Sequence, residues 1–171
     1  FITYRLADSI PQNLLTQLKD ELESIPPEKQ EIEYRKRIEH WLDAGYGSCR
    51  LRDPEAAQIV VKGWKHFDGE RYDLIAWVVM PNHIHVLVKP FPAYSLAKII
   101  QSWKSFTGKK ILSLDQSRAG SRGSQATQPF WMREFWDRYM RDENHLKRTI
   151  DYIHNNPVKA GLVNQPEAWL W

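Results

Sequence analysis

Apolar residues recur along this chain with two periods, and each change of period marks an element. Phe1 to Leu6 alternates as a strand does. Asp8-Ser9 then precedes Pro11, the signature of a capped helix start, and Leu14, Leu15, Leu18, Leu22 and Ile25 keep helical spacing until Pro26-Pro27 breaks it. Ile32 to Leu42 reads as a second, charged helix ending near Gly45, and Tyr46 to Arg52 as a loop or short strand. Asp53-Pro54-Glu55 opens a third helix, with Asp as cap and Pro in the first turn; Ile59, Val60 and Trp64 carry it to Phe67. Tyr72 to Met80 and His83 to Lys89 are strand-like on either side of Pro81-Asn82, which predicts a hairpin. Ser95 is placed to cap a helix through Leu112 with Leu96, Ile99, Ile100, Trp103 and Phe106 on its apolar face. Residues 113–128, rich in Ser, Gly and Gln, predict a mobile loop, and Phe135 to Arg141 a strand. Asp142 caps a last helix that ends by Asn155 or Asn156, before Pro157. Leu146, Ile150 and Ile153 form its buried stripe. The order predicts an α+β fold with a mainly antiparallel sheet, built as one domain over residues 1–171.

Composition narrows the function classes. The longest clean apolar run, Leu74 to Met80, is too short to cross a membrane. With Cys49 alone, a disulfide framework and a multi-cysteine zinc site are excluded, and a reducing, cytoplasmic setting is expected. The chain opens without Met and closes on Trp169-Leu170-Trp171, so it is read as lacking its natural ends. The net charge of +3 is unevenly spread. Residues 1–43 hold 6 Lys/Arg against 9 Asp/Glu, whereas residues 98–141 hold 9 against 3. A basic second half fits a polyanion partner, nucleic acid first, or simply a solvated charged face.

Two constellations carry chemistry. His83 and His85 stand two apart on a strand, so both imidazoles point to one face while Ile84, Val86 and Val88 take the other. They are a pair able to bind one divalent ion, or two strand histidines beside a turn. On the last helix Tyr152 lies off the apolar stripe, with Asn156 one turn on and on the same face. Alone, such a tyrosine is equally a residue at the rim of the core. Together the two sites are more specific. A phenol with an ordinary pKa of about 10 needs a Lewis acid and an oriented approach before it attacks phosphate at neutral pH. Two imidazoles and one amide oxygen leave open positions on a metal, which suits Mg²⁺ or Mn²⁺; the ligand count also admits a catalytic zinc.

The strings WVVMPNHIHVLVKP, SWKSFT and FWDRYMRDENHLKRTIDYIHNNPVKAGLV, in this order, resemble the HUH single-tyrosine transposases. They are most similar to the branch called REP-associated tyrosine transposases, as are FITYRLADSIPQ and WLDAGYGSCRLRDPEAA, so the resemblance spans nearly the whole chain. It implies a ferredoxin-like (RRM-like) sheet bearing the HUH strand, with the tyrosine helix packed nearby. His83 and His85 match the family's metal pair, Tyr152 its nucleophile and Asn156 the position of a third polar ligand. The implied activity is a metal-dependent endonuclease and strand transferase on single-stranded DNA, acting on REP-type hairpins through a 5′-phosphotyrosine. The implied setting is the bacterial cytoplasm and nucleoid, as monomer or homodimer. Rival readings are a non-catalytic nucleic-acid-binding regulator on the same fold and a metal phosphodiesterase that uses water. Lys98, Lys104, Lys109, Lys110, Arg118, Arg122 and Arg133 are the expected backbone contacts. Trp103 is expected in the core; Trp131 and Trp136 are either stacking platforms for unpaired bases or further core.

Overall fold

The computed structural model describes residues 1–119 and 129–171. Four strands form one antiparallel sheet: β1 (Ile2–Arg5), β2 (Tyr72–Val79), β3 (His83–Pro90) and β4 (Trp136–Asp137), in the order β2-β3-β1-β4. Helix α3 (Pro54–Lys65) links β1 to β2 and α4 (Leu96–Ala119) links β3 to β4, which is the split βαβ arrangement of ferredoxin-like folds. Two helices, α1 (Gln12–Glu23) and α2 (Pro27–Asp43), are inserted after β1, and α5 (Glu143–Lys159) follows β4.

Period-two patterning gives the sheet two faces of different chemistry. On one, Ile2, Tyr4, Leu6, Ile84, Val86 and Val88 pack under α3 and α4 together with Val60, Trp64, Ile100, Trp103 and Ile111. The aromatics in this core carry polar atoms, and these are paired. Trp64 Nε1 donates to the Tyr4 hydroxyl at 3.0 Å, Trp103 Nε1 to the Tyr72 hydroxyl at 2.8 Å, and the Tyr72 hydroxyl to the Trp64 carbonyl at 2.6 Å. Helices α3 and α4 approach closely at Gly63, where a Cβ would come within 2.9 Å of Thr107 Cγ2. On the other face, Ala76, Val78, Met80 and Leu87 receive Ile153 of α5, with Leu146 and Ile150 packed beside it. A third cluster, Leu18, Ile38 and Leu42 with Ile10, joins α1 to α2 and includes Trp136 of β4 at its margin.

Several elements differ from their sequence reading. Pro26-Pro27 ends α1 but Pro27 also begins α2, five residues before Ile32, because proline fits the first helical position without losing a bond. Pro11, not Asp8 or Ser9, is the N-cap of α1 and gives no side-chain cap; the Ser9 hydroxyl bonds the Leu6 carbonyl instead. Tyr46 to Arg52 holds a 3-10 turn at Arg50–Arg52. Helix α4 continues through residues 113–119 of the expected loop, held there by Asp115 bonding Arg50 and by Arg118 reaching Asp53 and Glu55. The remainder of that expectation, residues 120–128 with Arg122, lies outside the described residues. Phe106 is exposed rather than part of the α4 apolar face. The strand expected over Phe135 to Arg141 is only Trp136–Asp137. Helix α5 runs through Pro157 to Lys159: the proline forfeits its own bond, while Ala160 N–H to the Asn156 carbonyl and Leu162 N–H to the Pro157 carbonyl, both 2.9 Å, close the turn around it. Asp53 and Asp142 cap α3 and α5 as expected.

Candidate active site

The histidine pair stands on the α5 side of the sheet, at the start of β3. Antiparallel register sets Thr3 opposite His85 and Arg5 opposite His83 on β1, and Val78 opposite His85 on β2. Both imidazoles are buried, at 1% and 2% exposure, and their Nε2 atoms face each other at 3.2 Å. The outer nitrogens are occupied. His83 Nδ1 pairs with Asn82 Oδ1 and His85 Nδ1 with Thr3 Oγ1, each at 2.8 Å. Fixing Nδ1 in this way aims both Nε2 atoms at one point, the arrangement metal-binding histidines adopt. Burial, and secondarily the Lys159 cation, push His83 down to about 3. His85 falls well below its ordinary value for the same reasons, with His83 adding to them. Both rings are therefore neutral at physiological pH, the form that ligates metal.

Tyr152 closes over this pair from α5. Its ring meets the His85 ring edge-on, centroids 5.3 Å apart, and meets Phe1 at 5.9 Å, while Phe1 stacks on His85 at 5.4 Å. Burial raises the phenol pKa first; Glu39 and Asp43 of α2 raise it further, and the Asn156 amide offsets a little of that. Lys159 lies 5.8 Å from the Tyr152 ring centroid and pairs with Asp43 at 2.9 Å, joining α5 to α2 above the site. Asn156 is 1% exposed and one turn beyond Tyr152; it lies near enough to the phenol to temper its pKa, yet among the described residues neither carboxamide atom has a partner at hydrogen-bonding geometry. A buried amide left without partners is costly, about 1–3 kcal/mol for each unsatisfied atom.

These residues fit a divalent ion. Two nitrogens 3.2 Å apart subtend about 100° at a metal bonded to each at about 2.1 Å, close to both tetrahedral and octahedral angles. The orphaned Asn156 Oδ1 is a hard oxygen donor of the kind Mg²⁺ and Mn²⁺ take. Among the described residues no cluster of three or more His, Cys, Asp or Glu forms a metal site, so a third protein ligand here would have to be of another type, such as this amide.

The expected DNA contacts are not gathered here. Lys98, Lys109 and Lys110 are exposed on α4, which covers the opposite face of the sheet. Lys104 is half-buried and donates to the Arg133 and Glu134 carbonyls at 2.8 and 3.4 Å. Arg118 is engaged by Asp53 and Glu55, and Arg133 is exposed beside Glu134. Trp131 is 4% exposed, with its indole N–H on Thr107 Oγ1 at 2.9 Å, so it is core and no platform for bases. Trp103 is core as expected. Sequence reasoning missed Thr3, Asn82, Glu39, Asp43 and Lys159. Asn82 was legible as the neighbour of His83, but the others reach the site only through sheet register and helix packing.

Residues 56–156 match the family model described as Transposase IS200 like. A Haemophilus influenzae protein named as a candidate REP-associated tyrosine transposase is 29% identical over 104 residues, covering 57% of this chain and 56% of that protein. An Escherichia coli K12 protein named REP-associated tyrosine transposase is 26% identical over 98 residues, covering 57% and 52%. The chain thus spans about half the length of the curated relatives it matches. A solved structure described as a REP-associated tyrosine transposase bound to a REP hairpin matches 99% of this chain and 72% of its own. Its TM-score is 0.56 and its identity 18%, a likeness of fold.

Proposed function

The chain belongs to the IS200-like transposase family, and from that premise we propose that it cuts and rejoins single-stranded DNA beside REP-type hairpins, with Tyr152 as the nucleophile. The observation that carries this reading is the packing of the Tyr152 ring on His85, whose Nε2 is paired with that of His83. The hairpin substrate is supported by the REP hairpin in the structural neighbour. The protein would work in the bacterial cytoplasm on the nucleoid, as monomer or homodimer; no helix among the described residues is long and apolar enough to cross a membrane.

His83, His85 and Asn156 are the residues that would hold a divalent ion, Mg²⁺ or Mn²⁺. Such an ion supplies charge neutralisation at a phosphate oxygen. The chain's own part is orientation and proton control. Thr3 and Asn82 keep both imidazoles turned inward, and burial keeps them neutral. The Tyr152 oxygen bonds to phosphorus and gives up its proton, the bond from phosphorus to O3′ breaks, and O3′ takes up a proton. The products are a 5′-phosphotyrosine and a free 3′-OH. One phosphodiester has replaced another, so a second 3′-OH can reverse the step without ATP. Before DNA binds, burial and the Glu39 and Asp43 carboxylates keep the phenol protonated.

A denaturing gel with end-labelled hairpin DNA carrying single-stranded flanks tests this. A labelled band at the mass of protein plus DNA fragment is expected, and Tyr152→Phe should abolish it. Free fragments without an adduct would mean hydrolysis by water. Binding without cutting would mean a regulator on this fold.

A further inference from the structure

Between the β1–β4 edge and the α1–α2 hairpin lie two hollows, of about 290 and 350 Å³. Both are lined by Thr3 and Trp136, so they meet at the Trp136 indole. The larger reaches Tyr152; the smaller extends to Arg5 and Tyr34. Trp136 is half-buried and meets Tyr34 of α2 edge-on at 6.4 Å. Five cationic side chains face three carboxylates across the two hollows. One of these cations has a buried donor without a partner, and another is held largely out of solvent. Arg5 is 5% exposed and its guanidinium is held by a bond from Nη1 to Ser9 Oγ at 3.0 Å. Arg35 pairs with Glu31, but its Nε is buried without a partner among the described residues. A buried donor left unpaired is costly, and an acceptor such as a phosphate oxygen relieves it. Cations that track a backbone, with aromatic faces between them, are what a single strand requires of its site.

We propose that this groove holds the unpaired nucleotides flanking the cleaved phosphate, with Trp136 as the platform on which a base stacks and Arg35 and Arg148 on the adjoining phosphates. The α1–α2 hairpin, which lies outside the segment matched by the family model, is then the wall of a single-strand channel. The inference rests on Tyr152 being the nucleophile, since Tyr152 marks where the groove ends. It replaces the α4 lysines with a different set of contacts, on the face where the chemistry lies.

The test compares two labelled probes, a DNA hairpin with short single-stranded flanks and the same hairpin without them, by fluorescence anisotropy. Wild-type protein should prefer the flanked probe. Trp136→Ala should lose roughly tenfold or more of its affinity for the flanked probe and keep its affinity for the blunt one, and Trp136→Phe should recover most of the loss. Trp136 also packs on the hairpin, so Arg148→Gln, an exposed change on α5, provides a second arm: it should lower the salt dependence of flanked-probe binding by about one unit. No preference for the flanked probe, or equal losses on both probes, would overturn the groove. A Tyr152 adduct in wild type with no effect of these variants overturns the groove alone. Flank-selective losses without any adduct uphold the groove and overturn the nucleophile.

Discussion

The Nε2 atoms of His83 and His85 face each other at 3.2 Å because each ring's other nitrogen is already bonded, one to Asn82 and the other to Thr3. The Thr3 bond crosses from β1, so half of the pair's orientation is supplied by a strand distant in sequence. Thr3→Val keeps the shape and removes the hydroxyl. Affinity for Mn²⁺, measured by calorimetric titration, should fall roughly 10- to 100-fold, the usual cost of losing such a support. Unchanged affinity would show that His85 is held by packing alone.

Asn156 sets stability against function. Among the described residues its two buried carboxamide atoms have no partner at hydrogen-bonding geometry. Asn156→Leu is close in size and removes both. Urea unfolding of the metal-free variant should show a gain of about 1 kcal/mol or more, since unsatisfied buried groups cost about 1–3 kcal/mol each, while adduct formation is lost. A destabilised variant would mean that the amide has a partner in the resting protein.

Tyr152→Phe removes one oxygen and keeps the ring packed on His85 and Phe1. Thermal unfolding and hairpin affinity should stay near wild type while the covalent adduct disappears. Tyr139, 78% exposed, is far more accessible, and mass spectrometry of the adduct should nevertheless map the DNA to Tyr152. A fragment linked to Tyr139 would falsify the assignment.

Acid should unfold the metal-free protein early. Both histidines have depressed pKa values in the fold, His83 at about 3. Below the unfolded-state value of about 6.5 the unfolded chain binds protons that the folded chain does not. Stability therefore falls as pH drops from there towards the folded-state values, by up to about 1.4 kcal/mol per pH unit for each histidine. Urea titrations between pH 7 and pH 4 should show this slope, and His83→Gln should remove one histidine's share. A flat profile would mean that the rings reach water.

Much of this was legible in local patterns. Asp53-Pro54 announced α3 because a cap and a helix-ready φ act within one turn. The alternation of His83 and His85 with Ile84 and Val86 placed the imidazoles on one face because strand geometry leaves no other choice. Most of what escaped depended on contacts far along the chain. Residues 113–119 read as loop, yet they extend α4 because Asp115 and Arg118 find partners 63 to 65 residues away. Pro157 read as a stop, yet the following turn closes around it. Thr3, Glu39 and Lys159 carry no local mark of the site. They join it through the register of β1 on β3 and the Lys159–Asp43 pair.

The turn between β2 and β3 is pinned from several sides. The Pro81 carbonyl accepts from Leu51 N–H at 3.0 Å and the Asn82 carbonyl from Leu6 N–H at 2.8 Å, while Asn82 Nδ2 donates to the Tyr46 carbonyl at 3.0 Å. Beyond it, residues 84, 86 and 88 answer to the dry core and residues 83 and 85 to the chemistry. A one-residue insertion or deletion at this turn would exchange the two sets, driving imidazoles into the α3–α4 core and isoleucine under Tyr152. The length of this link is thus under a stricter constraint than its composition. Variation in gene length at this point should be lethal to activity and fold together, whereas substitutions further along β3 divide cleanly into those that cost one and those that cost the other.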